Sequence, residues 1–274
     1  MRIAIQHRTQ YSYDTPARSI IQMLRLTPRS HEGQTVHRWH VEVDQDADLR
    51  AGEDAFGNIM HVLSLPGPVD SLTLSLHGEV ETAGADGIVR GTVERFPPRL
   101  FLRETPLTGV NPDLRAYADA VVRGATGTLD RLHALMNAIR ADIAFDTSPT
   151  NVTTTAAEAF TLKRGVCQDL THVFIACARD AGIPARYIGG HLYRSDGAIL
   201  QEAGHAWAEA YVEELGWVGF DPANGVCVTD SYVRVSAGLD YLGAAPVRGT
   251  RMGGTSERMS VDVRVNQASF QSQS

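Results

Sequence analysis

The chain has 274 residues, 43% hydrophobic and 21% charged, enough to bury a full core, which excludes a disordered or fibrous protein. A net charge of −7, with Lys163 the one lysine and the arginines scattered, offers no basic surface for nucleic acid. No stretch reaches the ~20 apolar residues of a membrane helix, and three cysteines cannot form a fully paired disulfide framework; a protein with no membrane contact and a cytoplasmic location is expected.

The first residues, "MRIAIQHRTQYSY", alternate and turn polar too early for a signal peptide. From there to about residue 100 the chain reads as strands. Trp39, Val41 and Val43 alternate with polar neighbours, as do Leu72, Leu74 and Leu76, the period-two mark of half-buried strands. Turn formers such as "DAFGN" and "LPGP" separate the runs, so an antiparallel β-sandwich is expected. The histidines of this half (His7, His31, His37, His40, His61, His77) show no ligand spacing and read as surface or hydrogen-bonded core residues.

Several prolines between residues 97 and 112 mark a connection, and helices follow. In "NPDLRAYADAVVRG" Asn111 can cap, Pro112 takes the first helical position and Gly124 can close. Leu129, Leu132, Leu135, Met136, Ile139 and Ile143 form one apolar stripe in the next helix. "TAAEAFTLKRG" offers Thr155 with Glu158 as a capping box and Gly165 as a stop. Leu170, Val173, Phe174, Cys177, Ala178 and Ala181 then recur at helical spacing until Gly182 and Pro184, which puts Cys167 in the first turn. Strands are expected at 185–193, 205–213 and 217–221, and again where Met259, Val261, Val263 and Val265 alternate, before a frayed "NQASFQSQS". The division drawn from this pattern is an N-terminal domain over 1–105 and an α+β core, helices on an antiparallel sheet, over 106–274.

A thiol at a helix N-terminus feels the macrodipole and unpaired N–H groups, which favour a thiolate; on position alone Cys167 is equally a small buried hydrophobe. Cys177, mid-helix on the apolar stripe, and Cys227 read as structural. A cysteine nucleophile needs a base, and the base an orienting acceptor. The stretch "GHAWAEAYVEELGWVGFDPAN" supplies both: His205 opens one strand, Asp221 closes the next, and a turn near Glu213 to Gly216 puts them at the same end of the ribbon. Register counting leaves a mismatch of a residue or two for a bulge or loose turn to absorb.

"RGVCQDLTH" followed about 40 residues later by "HAWAEAYVEELGWVGFDP" resembles the transglutaminase-like (papain-like) superfamily, in its bacterial branch of candidate cysteine proteases. "YSYDTPARSIIQMLRLTPR" and "EDAFGN" resemble the β-sandwich domain that precedes the core in that branch, so the likeness covers nearly the whole chain. The resemblance implies a nucleophile at Cys167, a base at His205, an orienting carboxylate at Asp221 and a thioester intermediate resolved by water or an amine. Hydrolysis of a peptide or other amide is the leading expectation, protein-glutamine transamidation the alternative; a non-catalytic binding module is disfavoured because all three candidates are retained. Animal transglutaminases carry "GQCW" at the nucleophile, where this chain has Val166 and Gln168 around the cysteine. It also has Phe145 and Thr147, and no tryptophan, in the stretch where those enzymes keep a tryptophan that donates to the oxyanion. The backbone N–H of Cys167 remains as an oxyanion donor.

Gln168, Asp169 and His172 either polarise the thiol or cap and solvate the helix start. Trp207 and Tyr211 share the His205 face of their strand and either wall the cleft or pack in the core; Gln168 and Trp207 are carried as substrate-binding candidates. Cys167, His172, Cys177, His191 and His205 are metal donors by type but lack the paired spacing of a zinc site. No metal or cofactor is expected, and the implied partner is a peptide, protein or small amide substrate. Asn151-Val-Thr153 fits a glycosylation acceptor that a cytoplasmic chain would not use.

Overall fold

The computed structural model describes residues 1–84, 86–197, 199–201 and 203–268. It is a mixed α and β fold in two parts, each built on an antiparallel sheet. The first sheet has seven strands in the order Gln34–Val43, Ile59–Thr82, Arg2–Thr27, Glu257–Gln267 and Leu200–Gln201. Asp48–Glu53 is added to the second of these and Val247–Gly253 to the third. Alternation sets which face goes inside: Ile3, Ile5, His7, Thr9, Tyr11 and Tyr13 are buried along Arg2–Thr27. The pairing of the two longest strands slips between Ser12 and Ala17. Both of their halves nevertheless feed one apolar cluster, which holds Ile3 and Ile5 together with Leu24, Leu26 and Leu63.

Strand pairing crosses the boundary expected near residue 105 in both directions, and Leu200–Gln201 in the first sheet is one instance. The tail strands Val247–Gly253 and Glu257–Gln267 both pair with Arg2–Thr27, and Ile88–Val89 pairs with Gly216–Asp221 in the second sheet. The tail belongs to the first sheet because Val263 and Val265 bury into its core while Met259 faces solvent. The frayed end expected beyond it lies, from residue 269, outside the described residues.

The second part opens with helix α1 (Pro112–Val122), whose first turn is capped by the Asn111 side chain accepting the Leu114 N–H at 2.8 Å. Helix α2 (Thr128–Asp142) buries Leu132, Leu135, Met136 and Ile139. Helix α3 (Ala156–Leu162) has the reciprocal Thr155–Glu158 capping box. It stops at Lys163, in the left-handed region at φ 55°, and not at Gly165 as the sequence suggests. The Lys163 ammonium lies 3.4 Å from the centroid of the Phe160 ring, a cation–π contact that helps hold this non-glycine cap.

Helix α4 (Cys167–Asp180) is buried along almost its whole length, and α1, α2 and α3 all pack on it. Gly182, at φ 76°, ends it in a Schellman closure, with the Ile183 N–H reaching the Ala178 carbonyl at 2.8 Å. Its other side lies on the second sheet, ordered Val226–Cys227, Gly216–Asp221, His205–Val212, Ala185–Leu192 and Tyr232–Gly238. A last four-residue helix, α5 (Tyr241–Ala244), follows that sheet. No helix among the described residues is long and apolar enough to cross a membrane.

Gly190 lets the second sheet close. A Cβ there would sit 2.1 Å from the Val233 carbonyl oxygen and 2.7 Å from the Trp207 ring, against backbone and a buried indole that cannot yield. Gly190→Ala is therefore expected to destabilise the protein by about 2–4 kcal/mol through overpacking, whereas Gly52→Ala, with nothing within 4 Å of its Cβ, should change stability little; urea unfolding midpoints of the two variants check the contrast.

Candidate active site

Cys167 is the first residue of α4, preceded by Val166 in an extended conformation at φ −96° and ψ −179°. Helix geometry leaves the first N–H groups of α4 without intrahelical acceptors, and the Asp169 carboxylate takes up one of the donors at this end. Its Oδ2 accepts the Val166 N–H at 2.8 Å and the Thr150 hydroxyl at 2.7 Å. Gly165 makes room for this, since a Cβ there would lie 2.7 Å from the Asp169 side chain. Burial raises the Asp169 pKa against these two hydrogen bonds. Asp169 thus caps α4 and ties it to the loop that carries Thr150.

The three thiols sit in different environments. Cys177 is fully buried and its thiol is pushed up to about 12 by burial and then by the nearby Asp180. Cys227 is half-buried and raised by burial. Cys167 is half-buried and lies close enough to the His205 ring to raise that ring's pKa.

His205 and Asp221 meet as one pair, Nε2 to Oδ2 at 2.6 Å. The strand pairing explains how. Ala208 faces Phe220 and Val212 faces Gly216 across the three-residue turn 213–215, with Gly216 at φ 85°. Extending that register puts Asp221 opposite Trp207, two residues along from His205, so base and carboxylate are diagonal neighbours on one face. The two-residue mismatch needs no bulge. With Nε2 committed to the carboxylate, Nδ1 is the ring nitrogen left for the sulfur.

Asp221 is fully buried and its oxygens are saturated. Oδ1 accepts the backbone N–H groups of Ala223 at 2.9 Å and Asn224 at 3.1 Å, the first two available after Pro222, which has none. Oδ2 accepts the Asn224 side-chain amide at 2.6 Å and the Tyr232 hydroxyl at 2.8 Å besides the imidazole. Burial alone would raise the Asp221 pKa, but the hydrogen bond and charge of His205, then Asn224 and Tyr232, hold it below the usual carboxylate value. Burial likewise works against protonation of His205; the hydrogen bond and charge of Asp221, together with the neighbouring Cys167, outweigh it and lift the ring to about 10.

The other residues singled out by sequence take several places. Gln168 is buried beside Cys167 at the helix start. Trp207 is 1% exposed; its ring lies 6.3 Å from that of His205 and meets Tyr232 edge-on at 5.3 Å, so it shields the pair from behind. Tyr211 is at the far end of the strand, packed on Trp217. His172 is fully buried, its Nε2 accepting the Tyr241 N–H at 3.1 Å, and burial lowers it to about 4. His191 packs against His7, and Asn151 is spent in a turn with Thr153; among the described residues no group of three metal-ligating side chains comes together. Asn224 and Tyr232 are the residues that sequence reasoning missed. The local signal for Asn224 was available in "DPAN", a carboxylate followed by a turn amide; Tyr232 is brought in only by strand pairing.

Comparison with known proteins gives a family and a fold. Residues 115–222 match the transglutaminase-like superfamily and residues 3–81 the bacterial transglutaminase-like N-terminal region. An uncharacterized protein of Mycobacterium leprae is 29% identical over 278 residues, covering 96% of this chain and 98% of that protein. One of Mycobacterium tuberculosis is 27% identical over 294 residues, covering 98% and 93%. The crystal structure of a candidate cysteine protease from Cytophaga hutchinsonii superposes with a TM-score of 0.78 at 20% identity, covering 99% of this chain and 92% of that one, which is a likeness of fold.

The raised pKa of His205 carries a linkage with a definite sign. A ring at about 10 in the folded chain and at its ordinary ~6.5 unfolded stabilises the fold fully below pH ~6.5, and that contribution is lost as pH rises toward 10. Urea unfolding between pH 7 and 10 should show stability falling with pH, and in His205→Ala the slope should be shallower by roughly one proton, about 1.4 kcal/mol per pH unit.

Proposed function

We propose that this chain, which belongs to the transglutaminase-like superfamily, is a thiol-dependent enzyme that transfers the acyl group of an amide through Cys167, His205 and Asp221. The observation that carries the reading is the saturated, buried Asp221 carboxylate at 2.6 Å from a ring whose protonation the nearby Cys167 side chain also favours. An imidazole held on one nitrogen by a carboxylate and presented to a thiol by the other is the arrangement that thiol acyl transfer requires.

In this reading the Cys167 sulfur attacks the amide carbonyl, and the oxygen that becomes negative is met by the free N–H groups at the start of α4, Cys167's first among them. The protonated His205 gives its Nδ1 proton to the departing nitrogen, so the C–N bond breaks as the thioester is left behind. His205, now neutral, takes a proton from the incoming water as its oxygen attacks the thioester carbonyl; the C–S bond breaks, the acid is released and the sulfur is left beside the protonated ring, as at the start. Asp221 fixes the tautomer throughout and balances the imidazolium. Hydrolysis is the leading outcome because water needs no second binding site, and an extended peptide or small amide is the substrate class. A primary amine in place of water would make the same thioester yield a substituted amide.

Iodoacetamide labelling followed by mass spectrometry tests the nucleophile. Cys167 should be labelled far faster than the buried Cys177 and the half-buried Cys227, and His205→Ala should slow it by about tenfold or more. Equal reactivity at all three thiols, or a rate indifferent to His205, would overturn the reading; adding a primary amine to a turnover assay then separates acid from substituted amide as product.

A further inference from the structure

Tyr232 and the N-terminal sheet are joined by a set of contacts that a purely scaffolding role does not require. The strand Tyr232–Gly238 serves two sides, its alternation shifted by an irregularity between Arg234 and Ser236. Val233 buries into the apolar cluster of the first sheet, while Tyr232 and Ala237 pack with Trp207 and Ile188 behind the candidate site. Tyr232 ends in the hydroxyl that donates to Asp221, and its ring lies 5.9 Å from that of His205.

Two amide side chains, one from the start of Gln34–Val43 and one from the turn before Ile59–Thr82, grip this same strand as a neighbouring strand would. The Gln34 amide donates to the Arg234 carbonyl and its oxygen accepts the Arg234 N–H, both at 2.8 Å. The Asn58 amide does the same with the carbonyl and N–H of Ala237, again at 2.8 Å each. Both amides are buried and held from their own side: Gln34 also donates to the Arg29 carbonyl, and Asn58 to Asp54, which receives Arg25 at 2.7 Å. A third tie, from the Thr82 hydroxyl to the Asp230 carbonyl, fixes the segment entering the strand two residues before Tyr232. Backbone groups held at three points, at Asp230, Arg234 and Ala237, leave the strand one register, and with it one position for the Tyr232 hydroxyl.

We propose that Tyr232 is a positioning residue for the His205–Asp221 pair, and that the N-terminal sheet acts on the site through it by clamping the strand Tyr232–Gly238 with Gln34 and Asn58. The inference rests on the reading of Cys167 as the nucleophile. It gives the N-terminal region a part in the chemistry: a core whose strand was free to slip would lose the donor that keeps Asp221 turned toward the imidazole, while the ring packing of Tyr232 could remain.

Full-length protein and two variants test it. Tyr232→Phe keeps the ring and removes the hydroxyl; Gln34→Ala with Asn58→Ala keeps the hydroxyl and releases the clamp. The rate of iodoacetamide labelling at Cys167, per folded molecule by circular dichroism, should fall about fivefold in Tyr232→Phe, the worth of one hydrogen bond, and fall in the same direction in the double variant. The titration midpoint of the His205 ring by NMR should drop in both, a change that lost stability alone does not produce. Folded variants with the wild-type rate, or with an unchanged or raised midpoint, overturn the inference. Should the double variant unfold, Gln34→Ala alone is read in the same way. If wild-type labelling is already independent of His205, the nucleophile reading has failed; if it depends on His205 and ignores Tyr232 and the clamp, only this inference has.

Discussion

A carboxylate with no exposure to water organises the second part of the molecule. An unpaired charge in such a place would cost several kcal/mol and would protonate instead. Asp221 stays ionised because two backbone N–H groups, an amide, a phenol and an imidazole converge on its two oxygens. Each donor comes from a different constraint. Pro222 leaves the N–H groups of residues 223 and 224 to fold back, the hairpin brings His205 as a diagonal neighbour, and the strand on the far side of Ala185–Leu192 brings Tyr232. Losing any one would leave part of a buried charge unmet, at about 1–3 kcal/mol, so the positions of three separate segments are coupled through one side chain.

The same sheet buries a second charge by the same logic. Glu209, two pairs along from His205 on the same strand face, is fully buried between Arg186 at 2.6 Å and Arg234 at 2.8 Å, and their charges hold its pKa down to about 2 despite the burial. Arg186 in turn reaches Glu94 and lies over the Trp217 ring, its carbon 3.9 Å from the centroid. Removing one member of such a network strands the others, which is why buried pairs specify an arrangement more firmly than they stabilise it. Here the arrangement specified is the contact of the strands Ala185–Leu192, His205–Val212 and Tyr232–Gly238. Arg234 belongs both to this network and to the Gln34 grip, so the charged face and the docked sheet are set by one residue.

Local features of this protein were legible in its sequence. The capping box at Thr155, the stripe of α2, the start of α4 at Cys167 and the ends of the His205 and Asp221 strands each follow from periodicity or capping chemistry within a few residues. Features decided by pairing between distant segments were not. The alternation of Val261, Val263 and Val265 announces a strand but says nothing of its partner, 250 or more positions away. Tyr232 looks like any aromatic strand residue until that strand is laid beside Ala185–Leu192. Trp207 was read as either a cleft wall or core because a strand face can serve both; its near-complete burial behind His205 follows from Gly190, whose missing side chain admits the indole.

The arrangement also explains why a histidine buried to this degree is protonated when others are not. His7, His31, His172 and His191 are all lowered, the first three to about 4 and the last to about 3, because burial penalises the cation and no carboxylate sits at hydrogen-bond distance to oppose it. His205 suffers the same penalty and ends near 10 because Asp221 stands at 2.6 Å and the Cys167 sulfur on the other side adds a second favourable partner. Of these five rings, His205 alone is raised, and what separates it from the rest is the carboxylate that a hairpin, a proline turn and a clamped strand hold in place.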